Sequence, residues 1–200
     1  RDLVELAGAM QAECLVVVSG ARALHTARHA RRLFVDGLKL LGDMAGERNL
    51  SLAVLPMHSM YARNWTFLTT IDDTLDTLAQ CDHPKVRMAF DAYHLWQEPG
   101  LLTRIPALAS LTSIVRLSDW RDPPRSDHDR CLPGDGCIPL GGILRKFAES
   151  GYQGAYEIEI WSEELWASDY NELLAECRTR FDSLWNDETG VPKRPAALSL

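Results

Sequence analysis

The sequence predicts an α/β protein built on a parallel sheet, closed or open. The first observation behind this is rhythm: short apolar runs of strand length alternate strictly with longer stretches of helical periodicity. The second is how three of the runs end. Arg87-Met88-Ala89-Phe90 stops at Asp91, Ser113-Ile114-Val115-Arg116-Leu117-Ser118 stops at Asp119, and Ala155-Tyr156-Glu157-Ile158-Glu159-Ile160 carries two carboxylates. His94 follows Asp91 by three residues. A buried parallel strand that stops at Asp with His close behind places two ligand-type side chains at its carboxyl end. Barrels and open α/β sheets put their chemistry there.

The elements follow in order. Asp2 to Gln11 reads as a helix with Leu3, Leu6, Ala7 and Met10 on one face. Cys14 to Gly20 is a β-branched apolar run closed by Ser-Gly, a buried strand. Thr26 to Arg48 is a long helix with Ala30, Leu33, Phe34, Leu38, Leu41 and Ala45 at helical spacing. Leu50 to Pro56 is the second strand, and a loop with His58, Tyr61, Arg63, Asn64 and Trp65 follows it. Thr70 to Asp73 is a capping box with Asp in the Glu position, opening a helix through Leu75, Leu78 and Ala79. Then come the strand at Arg87–Asp91, a helix through Leu102, Ile105, Leu108 and Leu111, and the strand at Ser113–Asp119. A polar loop from Trp120 to Gly136 leads to a helix through Leu140, Ile143, Leu144 and Phe147, stopped by Gly151. The fifth strand, Ala155–Ile160, precedes a last helix from its N-cap Ser168 to Trp185. Residues 1–185 are read as one domain and residues 186–200 as a disordered tail.

Composition bounds the function. The chain is 46% hydrophobic and 24% charged, as soluble globular proteins are. Its net charge of −7 argues against nucleic acid or an anionic membrane surface as partner. Five scattered cysteines without a C-x-x-C pair read as reduced thiols, which places the protein in the cytoplasm. No run has transmembrane length, and there is no signal peptide.

The ordered segments resemble a known family. They are Gly37–Leu55 leading into Pro56-Met57-His58, Phe90-Asp91-Ala92-Tyr93-His94, Val115–Asp119, Asp129–Gly136, and Gly151–Gly154 followed by Glu157–Ile160. Together they are similar to the xylose-isomerase-like barrel superfamily of sugar isomerases and epimerases, which includes metal-dependent abasic-site endonucleases. The resemblance implies a (β/α)8 TIM barrel of which the chain covers about the last five β/α units, the front missing and Arg1 a truncated start. It implies a sugar or sugar-derivative isomerase or epimerase, with a sugar-like small molecule as partner and a homo-oligomer as an option. It also implies a divalent metal (Mn, Mg, Co or Zn) held by Glu, Asp, His and Glu at successive strand ends. The metal stabilises an enediolate while carboxylates move a proton next to a carbonyl.

Carried over residue by residue, the family match makes Asp91 the sixth-strand ligand and Glu159 the eighth-strand ligand and base. His94 becomes a histidine beside the substrate and Arg130 a substrate-contacting arginine. Leu55 stands where the fifth-strand glutamate belongs, and Arg116 where the seventh-strand histidine belongs. Two readings stay open. In one, a metal is held by Asp91, Glu159 and His58. In the other, Arg116 lies among Asp91 and Glu159 as a permanent cation, and a reduced barrel binds a carbohydrate-like ligand without metal. An endonuclease ranks third.

Glu157 and Glu159 share a face in a strand, so the residues alone do not choose between them. Trp96 and Trp120 are candidates for an apolar wall against a sugar ring; the other tryptophans read as rim packing. The Pro133-Gly134-Asp135-Gly136 turn offers backbone N–H groups to a ligand oxygen. His25 and His29 read as exposed helix residues, and Arg28, Arg31 and Arg32 as a solvated helix face.

Overall fold

The computed structural model describes residues 2–189. The chain runs α1 (Asp2–Ala9), β1 (Cys14–Val17), α2 (Ala27–Gly46), β2 (Ser51–Val54), a 3-10 turn (Ser59–Tyr61) and α3 (Ile71–Cys81). It continues with β3 (Val86–Asp91), α4 (Ala92–Leu95), α5 (Leu101–Ala109), β4 (Thr112–Leu117), β5 (Asp119–Trp120) and β6 (Arg130–Cys131). It closes with α6 (Leu140–Glu149), β7 (Ala155–Ile158), α7 (Glu163–Trp166) and α8 (Tyr170–Thr189). The five predicted strands form one sheet in the order β1-β2-β3-β4-β7. The first three pairings are parallel, and Asp91 stands opposite Arg116 across β3 and β4. Two strands are shorter than their apolar runs. β1 stops at Val17, before Gly20, and β7 stops at Ile158, leaving Glu159 and Ile160 beyond the ladder.

Two compact units divide the chain. Among the described residues the first holds 2–99, 111–116 and 154–157, and the second holds 100–110, 117–153 and 158–189. The first unit's core joins Val4 and Ala7 of α1, Val35, Leu38 and Ala45 of α2, Leu52 and Val54 of β2, and Val86 of β3. This corrects the expected face of α1. Leu3, Leu6 and Met10 are 67%, 56% and 72% exposed, because the helix turns its smaller Val4–Ala7 side to the core. In α2, Val35 is buried where Leu33 was expected. In α3, Ala79 is exposed and two threonines take the buried face. They can do so because the Thr74 and Thr77 hydroxyls donate to the carbonyls of Thr70 and Asp73, at 2.9 and 2.7 Å. The Thr70 cap forms as predicted, accepting the Asp73 N–H at 3.1 Å.

In the second unit α6 buries Leu140, Ile143, Leu144 and Phe147 and packs against α5 and α8. Gly151, at φ 69°, ends it as predicted; Tyr152 N–H returns to the Phe147 carbonyl at 3.1 Å. The polar loop after β4 contains an antiparallel ribbon of β5 and β6, with Trp120 opposite Arg130. Asp169, and not Ser168, caps α8, accepting the N–H groups of Asn171 and Glu172 at 2.8 and 3.1 Å. α8 runs to Thr189, through the first residues of the expected tail; 190–200 lie outside the described residues. All five cysteines are free thiols. Among the described residues no helix is long and apolar enough to cross a membrane.

Candidate functional site

In the first unit the chemistry gathers after β3. Met88 to Asp91 are buried throughout, so both faces of the strand are covered. Asp91 ends the strand and at once caps the one-turn helix α4, its Oδ1 accepting the Tyr93 N–H at 2.9 Å. That turn carries His94 inward, and the ring is 3% exposed. Its Nε2 lies 3.9 Å from Asp91 Oδ2. The rings of Tyr61 and Tyr93 stand edge-on to it, at 5.2 and 5.5 Å. A carboxylate and an imidazole are thus fixed side by side in a nearly dry setting, where each is costly to bury and strongly felt by its neighbour.

Two other predicted residues of this unit have different partners from those expected. Arg116 Nε donates to Glu157 Oε2 at 2.7 Å. Arg116 is therefore paired with the glutamate that the sequence left as Glu159's rival. His58 Nε2 lies 2.9 Å from Gln97 Oε1, and its Nδ1 accepts the Met60 N–H at 3.3 Å. Both ring nitrogens are thus engaged in this structure. Trp96 is half-buried and follows α4, its N–H on the Ala92 carbonyl at 3.0 Å.

In the second unit the predicted residues meet around the ribbon. Arg130 is buried and pairs with Glu159 through Nη1, which also reaches Ser118 Oγ at 3.2 Å. Glu159 sits just past β7, its N–H on the Leu117 carbonyl at 3.1 Å. Each glutamate therefore has its own arginine. Trp120 is buried within the ribbon, 5% exposed, which suits packing better than a wall for a sugar.

Two residues of this unit were missed as organisers. Asp119 Oδ1 accepts the N–H groups of Trp120 and Ile138, and Oδ2 accepts that of Gly134, all at 2.9 Å. In the Pro133–Gly136 turn the Gly134 N–H thus meets an internal carboxylate, and the Asp135 N–H meets the Leu132 carbonyl at 3.0 Å. Gly136 is required there, because a Cβ would come within 2.4 Å of Asp119 Oδ1 and the Trp120 carbonyl oxygen. Asp129, beside Arg130, accepts from Arg125 Nη2 at 2.5 Å, from the Arg125 N–H at 2.8 Å and from Arg121 Nε at 3.2 Å. The Arg125 side chain first, its N–H and the nearby charges hold the Asp129 carboxyl down to about 2. Asp119 was visible as a strand end. Asp129 stood in a segment that matches the family, but nothing in the sequence marked it as an organiser, since its partners lie in a loop without periodicity.

The donor set does not fit the family's metal. Leu55 offers no ligand atom, Arg116 brings a positive charge to the Asp91 face of the sheet, and His58 is engaged. Among the described residues no three His, Cys, Asp or Glu side chains gather as a group able to hold a metal ion.

The family model described as xylose isomerase-like TIM barrel matches residues 1–179. Among curated proteins, the chain is 27% identical over 158 residues to a 3-dehydroshikimate dehydratase of Pseudomonas putida, covering 72% of this chain and 23% of that protein. The chain thus spans about a quarter of that relative's length. Among solved structures, protein SMc04130 from Sinorhizobium meliloti 1021 superposes with a TM-score of 0.83 and 31% identity, over 92% of this chain and 68% of the other. An L-ribulose 3-epimerase shares the fold, with a TM-score of 0.76 at 14% identity over 94% and 66% of the two chains.

Proposed function

The chain belongs to the xylose isomerase-like TIM barrel family, and from that premise we propose that it is an enzyme moving a proton next to a carbonyl of a sugar or sugar-like hydroxyketone. The observation that carries this reading is the buried Asp91–His94 pair at the carboxyl end of β3. Epimerisation, isomerisation and dehydration of a hydroxyketone share one first step, removal of a weakly acidic proton alpha to the carbonyl. That step needs a base and a positive group for the enediolate oxygen. His94 takes the proton, and Asp91 faces the imidazolium that results. Arg116, opposite Asp91 in register, answers the oxyanion charge with its guanidinium. No step runs through a metal. The names of the relatives, a dehydratase and an epimerase, support this shared step more than either outcome.

A second reading is a barrel that binds a carbohydrate-like ligand without turnover. The Arg116–Glu157 and Arg130–Glu159 ion pairs favour it, since each carboxylate is already held by a guanidinium. Proton NMR in D2O separates the two, with 3-dehydroshikimate and a panel of ketoses as substrates. The enzyme reading expects deuterium at the carbon next to the carbonyl, abolished by His94→Gln. Saturable binding without exchange would support the second reading; neither binding nor exchange would overturn both.

A further inference from the structure

Residues 14–35 hold four of the chain's 21 basic residues and none of its 28 acidic ones, in a protein of net charge −7. Within the first unit, α2 and α3 bound a groove of about 900 Å³ lined by Arg28, His29, Arg31, Arg32, Val35 and Gln80. That volume lies in the range of small-molecule sites.

The three guanidinium groups are set differently. Arg31 is tied to α3, with Nη2 2.6 Å from Asp73 Oδ1 and Nη1 3.7 Å from Asp76 Oδ2. Arg32 Nη2 lies 3.0 Å from His29 Nδ1. A guanidinium only donates, so Nδ1 accepts and the ring proton sits on Nε2. Among the described residues neither Arg28 nor Arg32 has a carboxylate partner, and both are exposed. Arg28 and Arg32 are four residues apart on one helix, a spacing at which like charges repel. A face that merely needs to be solvated gains nothing from that repulsion, and an anion seated between them would relieve it.

We propose that this groove binds a phosphoryl group, the dianionic phosphate of a small phosphate ester. Two guanidinium groups not neutralised by the protein match two negative charges. Their forked N–H donors match tetrahedral phosphate oxygens, and Arg31, braced by α3, fixes one wall. The Gln80 amide is placed to meet the uncharged part of the ester. The site is distinct from the Asp91–His94 pair and does not depend on the activity proposed for it.

The test is calorimetric titration of the protein with inorganic phosphate and with glucose 6-phosphate, against glucose, at fixed ionic strength. Both phosphates are expected to bind saturably and glucose not at all. Arg28→Gln/Arg32→Gln should weaken the binding by about a hundredfold or more, the loss of two charge-assisted contacts. Arg178→Gln, on α8, should leave it unchanged. The substituted arginines are exposed, so thermal melting should confirm an intact fold. Absence of saturable phosphate binding, or binding that the double variant retains, would overturn the proposal. So would a single-stranded oligonucleotide that binds when neither phosphate does.

Discussion

Asp91 and Asp119 look alike in the sequence, each closing an apolar strand, and the two units use them in opposite ways. In the first unit Asp91 is fully buried beside an imidazole and two aromatic rings, with one backbone N–H on Oδ1. In the second unit Asp119 is equally buried, but its two oxygens accept three backbone N–H groups. A carboxylate saturated by backbone donors is architecture: it holds the ribbon and the Pro133–Gly136 turn in one shape. A carboxylate set against an imidazole in a dry pocket is held for its charge. The comparison turns on what surrounds each carboxylate: three backbone N–H groups at Asp119, an imidazole and two aromatic rings near Asp91.

The contrast can be broken first at Asp119. Asp119→Ala leaves three buried N–H groups without their acceptor and is expected to cost about 3–5 kcal/mol. That should lower the melting temperature by roughly 10 °C or more, read by circular dichroism. A shift of only a degree or two would show that the ribbon does not depend on this carboxylate.

Asp129 comes next. Its carboxyl is held at about 2 in the folded protein, whereas an unfolded Asp titrates near ~3.9. Its stabilisation is therefore complete above the unfolded value and disappears as the pH falls through about 2. Arg125 is well exposed, so screening reduces the effect to about 1 kcal/mol. Asp129→Asn should lose that amount at neutral pH and show a shallower fall in stability between about pH 4 and 2. Parallel acid titrations of the two proteins would refute the assignment.

Arg116→Met removes the 2.7 Å pair with the partly exposed Glu157 and should cost about 1 kcal/mol or less, measured by urea unfolding. The smallest stability effect belongs to Asp91→Asn. The amide oxygen can still accept the Tyr93 N–H, and a buried charge is removed, so stability should change by less than about 1 kcal/mol while deuterium exchange is lost. A large destabilisation would place Asp91 with Asp119 as architecture. The same variant serves as control in calorimetric titrations with Mn, Co, Mg and Zn. Stoichiometric binding is not expected from the donor set; binding abolished by Asp91→Asn would make Asp91 a metal ligand.

Much of the fold was legible because it rests on local signals. The apolar runs placed all five strands, Thr70 and Gly151 marked a helix start and a helix stop, and Phe90-Asp91 with His94 marked the site. The two-strand ribbon was not legible, since β5 and β6 are two residues each and exist only by pairing with one another. Nor was the buried side of α1, whose two candidate faces differ little in apolar content. The partners of Glu157 and Glu159 were hidden for another reason: a period of two gives the face a side chain takes, not which arginine of another segment reaches it.

By itself the sequence determined the order of elements, the parallel sheet and the strand-end positions of Asp91, Arg116 and Glu159. These follow from periodicity, caps and chain order, which are properties of neighbouring residues. Only the tertiary structure decided that Asp119 is saturated by backbone, that His58 is committed to Gln97 and Met60, and that each glutamate takes its own arginine. Hydrogen bonds and ion pairs between residues far apart in sequence depend on distances of a few tenths of an ångström, which no local pattern encodes.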